Sequence, residues 1–396
     1  MKKLVALMII LCLLFTGAIA YFQGAASVEK PDAIEQAEPA EAIESIELKS
    51  EAIDYEAIYK LHQPDEIVMT INGKDITWAE YFYYYYYYAN TAANQLDMMA
   101  VYYEMNCTWD DVADTEGHTY AEIPAASALV QLKKIETILG YAEENGVELN
   151  EEDKAEYEEA LKSDIASVCG ENGTQEDFDK VLEDMYMNMD IYRRMTESNI
   201  YYTRNMVEVY GEDGEKISDE DAVAYLEANE YVTANHILLM TTDSETGETV
   251  DEDTKIAIRK QAEEIAAELQ GIEDVNERTA RFLELAAEYN EDPGMEYYPN
   301  GYTYTPGTMV TEFEKAVESL GDYDVSDPVE TTYGYHIIMR MPLTADALLT
   351  GESTPTPVRI MMAADEYTSA LDNIYSDLKI EYAEGFEAPN IKDYIG

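Results

Sequence analysis

Two of the chain's four histidines stand inside apolar, β-forming runs. His236 lies in VTANHILLM (Val232 to Met240) and His336 in YGYHIIMRM (Tyr333 to Met341). An imidazole in such a run is buried, and either ring nitrogen can take part in a hydrogen bond. Taken alone, each is a satisfied core residue. Asp292 sits in Glu-Asp-Pro-Gly, a common turn sequence. Met309 and Phe313 are spaced i, i+4 and so share one apolar helix face, which by default is core. Cys12, Cys107 and Cys169 have neither the spacing nor the local pattern of a metal or redox site, so no metal or thiol chemistry is expected. The chemistry open to this set is that of a few buried polar groups beside an apolar wall.

Four blocks around these residues resemble the parvulin family of peptidyl-prolyl cis/trans isomerases. They are NHILL (Asn235 to Leu239), FLELAAEYNEDPG (Phe282 to Gly294), PGTMVTEFEKAV (Pro306 to Val317) and VSDPVETTYGYHII (Val325 to Ile338). All four occur in the family's order over about 110 residues, which is more specific than any single motif. The flanking regions resemble SurA/PrsA-type extracytoplasmic foldases in the order of their parts.

An X–Pro bond isomerises over a barrier of about 18–20 kcal/mol, because twisting it breaks amide resonance. Catalysis needs an apolar grip on the proline ring and polar groups that favour the twisted amide. No cofactor is needed. The resemblance implies that His236 and His336 lie together under the pocket, with Thr331 as the hydroxyl beside them. It places Asp292 next to the reacting carbonyl, and Met309 and Phe313 against the proline ring. Two positions depart from the family. Gly301 falls where a pocket leucine is expected, so that Tyr302 or Tyr304 would have to supply the volume. Tyr333 replaces a smaller residue and is counted with the substrate-binding set. The loop Thr241 to Asp253 has no Lys or Arg, which argues against a preference for phosphorylated substrates.

The elements needed to position these residues are legible along the chain. Ile67 to Thr70, Asn72-Gly73 and Asp75-Ile76 predict a hairpin, and Thr77 with Glu80 has capping-box spacing. A long helix from Trp78 to about Met105 follows. It contains YFYYYYYY (Tyr81 to Tyr88), which reads either as a core helix with one wet face or as an aromatic surface for unfolded chains. Further helices are expected at Pro124 to Glu144, Asn150 to Ser167, from Thr174 to Tyr210 with a break near Met187 to Asp190, and Ser218 to Ala228. Within the central segment, helices are expected at Asp253 to Leu269, Val275 to Tyr289 and Met309 to Ser319. Leu348 to Pro357 reads as loop, and a helix from Met361 to Leu378 leads into a strand Lys379 to Tyr382.

The expected organisation is an α+β multidomain chain. Residues 1–20 read as a signal peptide and 21–64 as an acidic linker. Residues 65–229 form a mainly helical chaperone domain, 230–343 an inserted α/β isomerase domain, and 344–396 a C-terminal segment returning to the chaperone domain. Met1-Lys2-Lys3, the apolar Leu4 to Phe15 and Ala18-Ile19-Ala20 have the form of an export signal, cleaved or retained as an anchor. Either way a membrane tether would run only through this segment. The formal charge of −58 opposes binding to nucleic acid or anionic lipid. Export and the resemblance together imply unfolded or nascent secreted polypeptides with X–Pro bonds as partners. They leave open a holdase with little turnover.

Overall fold

The computed structural model describes residues 53–242, 249–351 and 354–396. The expected signal segment, most of the acidic linker and the middle of the Thr241 to Asp253 loop lie outside the described residues. The elements in chain order are α1 (Tyr55–Tyr59), β1 (Ile67–Ile71), β2 (Lys74–Thr77), α2 (Trp78–Tyr102), α3 (Ile123–Asn145), α4 (Glu151–Cys169), α5 (Gln175–Asp184), α6 (Met189–Tyr210) and α7 (Asp219–Ala228). They continue with β3 (Val232–Met240), α8 (Glu252–Gln270), α9 (Val275–Tyr289), β4 (Tyr302–Tyr304), α10 (Thr311–Glu318), β5 (Val329–Glu330), β6 (Gly334–Met341), β7 (Leu348–Leu349), β8 (Thr356–Pro357), α11 (Val358–Asp377) and β9 (Ile380–Tyr382). No helix among the described residues is long and apolar enough to cross a membrane. Helical N- and C-terminal regions flank a central β-rich, parvulin-like part.

The chain divides into two compact units, one running to Asn205 and including Ser369–Gly396, the other Met206–Thr368. In the first, β1 is the middle strand of a sheet ordered β2-β1-β9, so the C-terminal strand pairs with the N-terminal hairpin. Thr77 caps α2 by accepting the Glu80 N–H. The Glu80 carboxylate does not complete a capping box; it pairs with Arg194 of α6, which also holds Glu136 of α3. Both glutamates are buried.

The tyrosine run is core. Tyr81, Tyr83, Tyr84, Tyr85 and Tyr86 are all buried, packed with Trp78 and Phe82 in the unit's main apolar cluster. Aromatic surface is exposed instead at the far end of the same helix, where Tyr102 and Tyr103 are 79% and 59% exposed. The break between α5 and α6 has a local cause. Tyr186 adopts a positive φ of 57°, and the Asn188 side chain caps the N–H groups of Asp190 and Ile191.

The second unit is built on a sheet ordered β5-β6-β3-β4-β7-β8. β3 and β6 pair antiparallel along their length, from Thr233 opposite Met341 to Met240 opposite Gly334. Alternation then sorts the side chains by face. Ile237, Leu239, Tyr335, Ile337 and Met339 pack under α8 and α9 with Ala262, Leu269, Phe282 and Leu285. Ala234 and Ile338 point the other way, toward Tyr304, Phe313 and Val317.

The loop expected at Leu348 to Pro357 contains two short strands, and the segment between α9 and α10 contains β4. β7 joins β4 in parallel, and β8 joins β7. A third apolar cluster holds Ile217, Ala222 and Leu226 together with Ala347, Leu349, Val358 and Met362. These links carry the second unit beyond the expected domain edges near 230 and 343, and its limits fall within α6 and α11.

Candidate functional site

His236 and His336 come from neighbouring central strands. Their register, His236 opposite Ile338 and Leu238 opposite His336, sets them diagonally on one face, with ring centroids 5.1 Å apart. Both are buried. Phe313 of α10 stands edge-on to both rings, at 5.4 Å and 5.6 Å. Met309 precedes α10 rather than opening it, because Val310 is extended and forms the N-cap, yet it packs against the same apolar cluster. That entry into α10 is fixed by Glu314, whose carboxylate accepts the N–H groups of Gly307 and Met309.

Asp292 is brought to His236 by the segment after α9, which is laced to the edge of β3. Asn290 Oδ1 accepts the Leu238 N–H at 2.8 Å, Glu291 Oε2 accepts the Met240 N–H, and the Glu291 N–H donates to the Leu238 carbonyl. Asp292 Oδ2 then lies 3.0 Å from His236 Nε2, close but without the direction of a good hydrogen bond. Its Oδ1 accepts the Gly294 N–H, and its Oδ2 accepts the Tyr302 hydroxyl at 2.9 Å. Burial pushes this carboxyl up, but His236, the Gly294 N–H and Tyr302 outweigh it and hold it down at about 2. Asp292 is therefore ionised at neutral pH.

Tyr302 belongs to this site although residue types alone do not single it out as a catalytic group. Its ring stacks on His236 at 5.7 Å. Two glycines make room for it. A Cβ on Gly294 would fall 2.0 Å from the Tyr302 oxygen. Gly301, at φ +101°, rests on the β3 backbone, where a Cβ would be 2.7 Å from the Ala234 carbonyl oxygen. Gly301 thus leaves no hole in the pocket. Tyr302 covers His236, and buried Tyr304 backs Phe313 at 6.2 Å.

Thr331 Oγ1 is 2.9 Å from His336 Nε2 and also accepts the Tyr333 N–H. Its hydroxyl hydrogen is thereby free to donate to a neutral imidazole. Burial lowers the His336 pKa to about 3; His236 adds to this effect, and Asp292 opposes it. Tyr333 is not part of the cluster. It sits on the turn before β6 and is 53% exposed. The structure thus gathers His236, Asp292, His336, Thr331, Met309 and Phe313, adds Tyr302, and leaves Tyr333 outside.

These donors do not form a metal set. Among the described residues, the one group of three that could hold an ion is Asp114, Glu116 and His118 in the first unit. It is a surface turn in which Asp114 accepts from the N–H groups of Glu116 and His118 and meets the His118 ring.

The profile of the PPIC-type PPIASE domain (Rotamase) matches residues 236–341. The foldase protein PrsA of Halalkalibacterium halodurans is 38% identical over 133 residues, which is 32% of this chain and 32% of that protein. The match thus spans about a third of that relative's length. PrsA of Oceanobacillus iheyensis is 28% identical over 242 residues, covering 59% of this chain and 68% of that protein. The crystal structure of PrsA from Bacillus subtilis aligns with 84% of this chain and 98% of its own, at 18% identity and a TM-score of 0.25. Residues 236–341 form a parvulin-type rotamase domain, carried in a chain similar to PrsA foldases.

Proposed function

We propose that the chain is an extracytoplasmic peptidyl-prolyl cis/trans isomerase and foldase that twists X–Pro bonds of secreted polypeptides without covalent chemistry. The observation that carries this reading is an ionised, half-buried carboxylate, Asp292, held by His236 and Tyr302 beside the apolar wall of Phe313 and Met309. In a planar amide, resonance puts negative charge on oxygen and positive charge on nitrogen; twisting withdraws both. A fixed carboxylate near the substrate carbonyl raises the energy of the planar form more than that of the twisted one. Phe313 and Met309 grip the proline ring. His236 and His336 act through others, one steadying Asp292 and both buttressing Phe313.

The test is isomerisation of a short unphosphorylated X–Pro peptide by wild type, Asp292→Ala and Phe313→Ala, each checked for folding. Acceleration by wild type, reduced on the order of 10-fold or more in both variants, is the expected result. A folded wild type that accelerates nothing would overturn the reading.

One observation favours a holding activity beside it. Met98, Val101, Tyr102, Tyr103 and Met105 are all exposed around the end of α2, an apolar surface suited to extended chains. Replacing Tyr102 and Tyr103 by serine is expected to weaken suppression of client aggregation while leaving isomerisation intact. Unchanged suppression would rule this surface out.

A further inference from the structure

The opposite face of the isomerase sheet carries a cavity of about 350 Å³ that the site above does not use. Thr233, Asn235, Thr303 and Met341 line it from the sheet, and Leu283 of α9 and Tyr298 form part of its wall. Thr233, Asn235 and Met341 alternate with Ala234, His236 and Arg340, so the cavity and the histidine cluster lie on opposite faces of the same strands.

Asn235 is its distinctive group. The residue is 3% exposed, and its Oδ1 accepts the His236 N–H at 2.8 Å. Its Nδ2 amide is not bonded to another described residue and is not sealed off in the interior, so this donor is open to the cavity. Beside it, Thr233 and Thr303 share one hydroxyl–hydroxyl hydrogen bond of 2.8 Å, which leaves one O–H of the pair unspent. Asp346 is the one charged residue of the lining. The cavity therefore offers neutral donors against an apolar wall and no cation for an anionic ligand.

From this arrangement we infer a second binding pocket that takes an uncharged segment of extended polypeptide. A backbone carbonyl of the segment meets Asn235 Nδ2, and a neighbouring aliphatic side chain lies on Leu283 and Met341. The volume holds one side chain and its flanking peptide groups, and the recognition needs no proline. Because Asn235 also holds the His236 N–H, the bound segment touches the same strand that carries the isomerase site. A chain released from one face is then retained by the other.

The test titrates the ¹⁵N-labelled full chain with N-acetyl-Ala-Leu-Ala-Ser-amide, a neutral peptide without proline. The Asn235 side-chain NH₂ and the backbone amides of Thr303 and Met341 are followed. Saturable shifts at these three positions are expected. The dissociation constant should rise about five-fold, the value of one ordinary hydrogen bond, in Asn235→Ser. It should rise at least as much in Leu283→Asp, a change at an exposed helix position that the fold tolerates. Absence of shifts at millimolar peptide would overturn the inference. So would shifts confined to Ala234, His236 and Ile338, or affinity unchanged in both variants. The readout is independent of prolyl isomerisation, so its failure and that of the isomerase reading are separable.

Discussion

A buried histidine that stays neutral leaves a direct signature. His336 has its pKa lowered from 6.5 to about 3, first by burial and then by His236, with Asp292 opposing. At pH 5 an ordinary histidine of pKa about 6.5 is about 97% protonated, whereas a ring titrating at about 3 is about 1% protonated. The ring-labelled ¹³C spectrum of a chain with four histidines is simple, and single His→Gln substitutions assign it. The His336 Cε1 signal is expected to stay at its neutral position from pH 8 down to pH 4.5. His118 serves as an internal contrast, because the Asp114 hydrogen bond raises its pKa and it should titrate above the ordinary value. A His336 midpoint above about 5.5 would refute the burial argument. The consequence for stability follows by linkage. Between about pH 6.5 and 3 the unfolded chain binds a proton here that the folded chain does not. This contribution is therefore complete above the unfolded pKa and is lost progressively as pH falls toward 3. At pH 5 the loss is about 2 kcal/mol, 1.36 kcal/mol for each of roughly 1.5 pH units. Trp78 and Trp109 both lie in the first unit, so the loss must be read from signals of the second unit. His336→Gln should flatten the dependence by that amount.

Tyr302→Phe removes the hydroxyl donated to Asp292 and should lower kcat/KM for an X–Pro peptide by about 10–100-fold, the loss of one charge-assisted hydrogen bond of about 1.5–3 kcal/mol. An unchanged value would show that the hydroxyl does not hold the carboxylate in the active geometry. Gly301→Ala combines a positive φ with a Cβ 2.7 Å from a carbonyl oxygen. It should destabilise the second unit by about 1–3 kcal/mol, measured by hydrogen exchange of the β3 amides. Arg194→Met strands Glu80 and Glu136 in the first unit, where burial already raises the Glu80 carboxyl despite Arg194. The expected loss is roughly 3–5 kcal/mol, followed by Trp78 fluorescence, with most of it regained when both glutamates are also changed to Gln.

How much of this was legible in the sequence depended on the length of the element and on residue chemistry. β3 and α9 could be bounded because nine and fifteen residues carry a clear pattern between turn signals. β4, β7 and β8 have two or three residues each, too few to show a period, and they form because β3 and its neighbours present a partner edge. The tyrosine run shows the other limit. A phenol tolerates either burial or water, so Tyr81 to Tyr86 could be assigned to the core only once Trp78, Phe82 and the surrounding helices were placed. The same ambiguity left Tyr302 and Tyr304 as equal candidates for the pocket volume and left the Tyr302 contacts with His236 and Asp292 unread. Read position by position, Gly301 looks like the loss of a pocket leucine. In the fold, its missing side chain lets the strand after it lie flat on β3, and the pairing of Ala234 with Tyr302 then places Tyr302 at the end of that ladder, where its ring reaches His236. The residue that fills the pocket is thus set by the register of a three-residue strand. That register depends on a backbone contact, which spacing within one segment cannot encode.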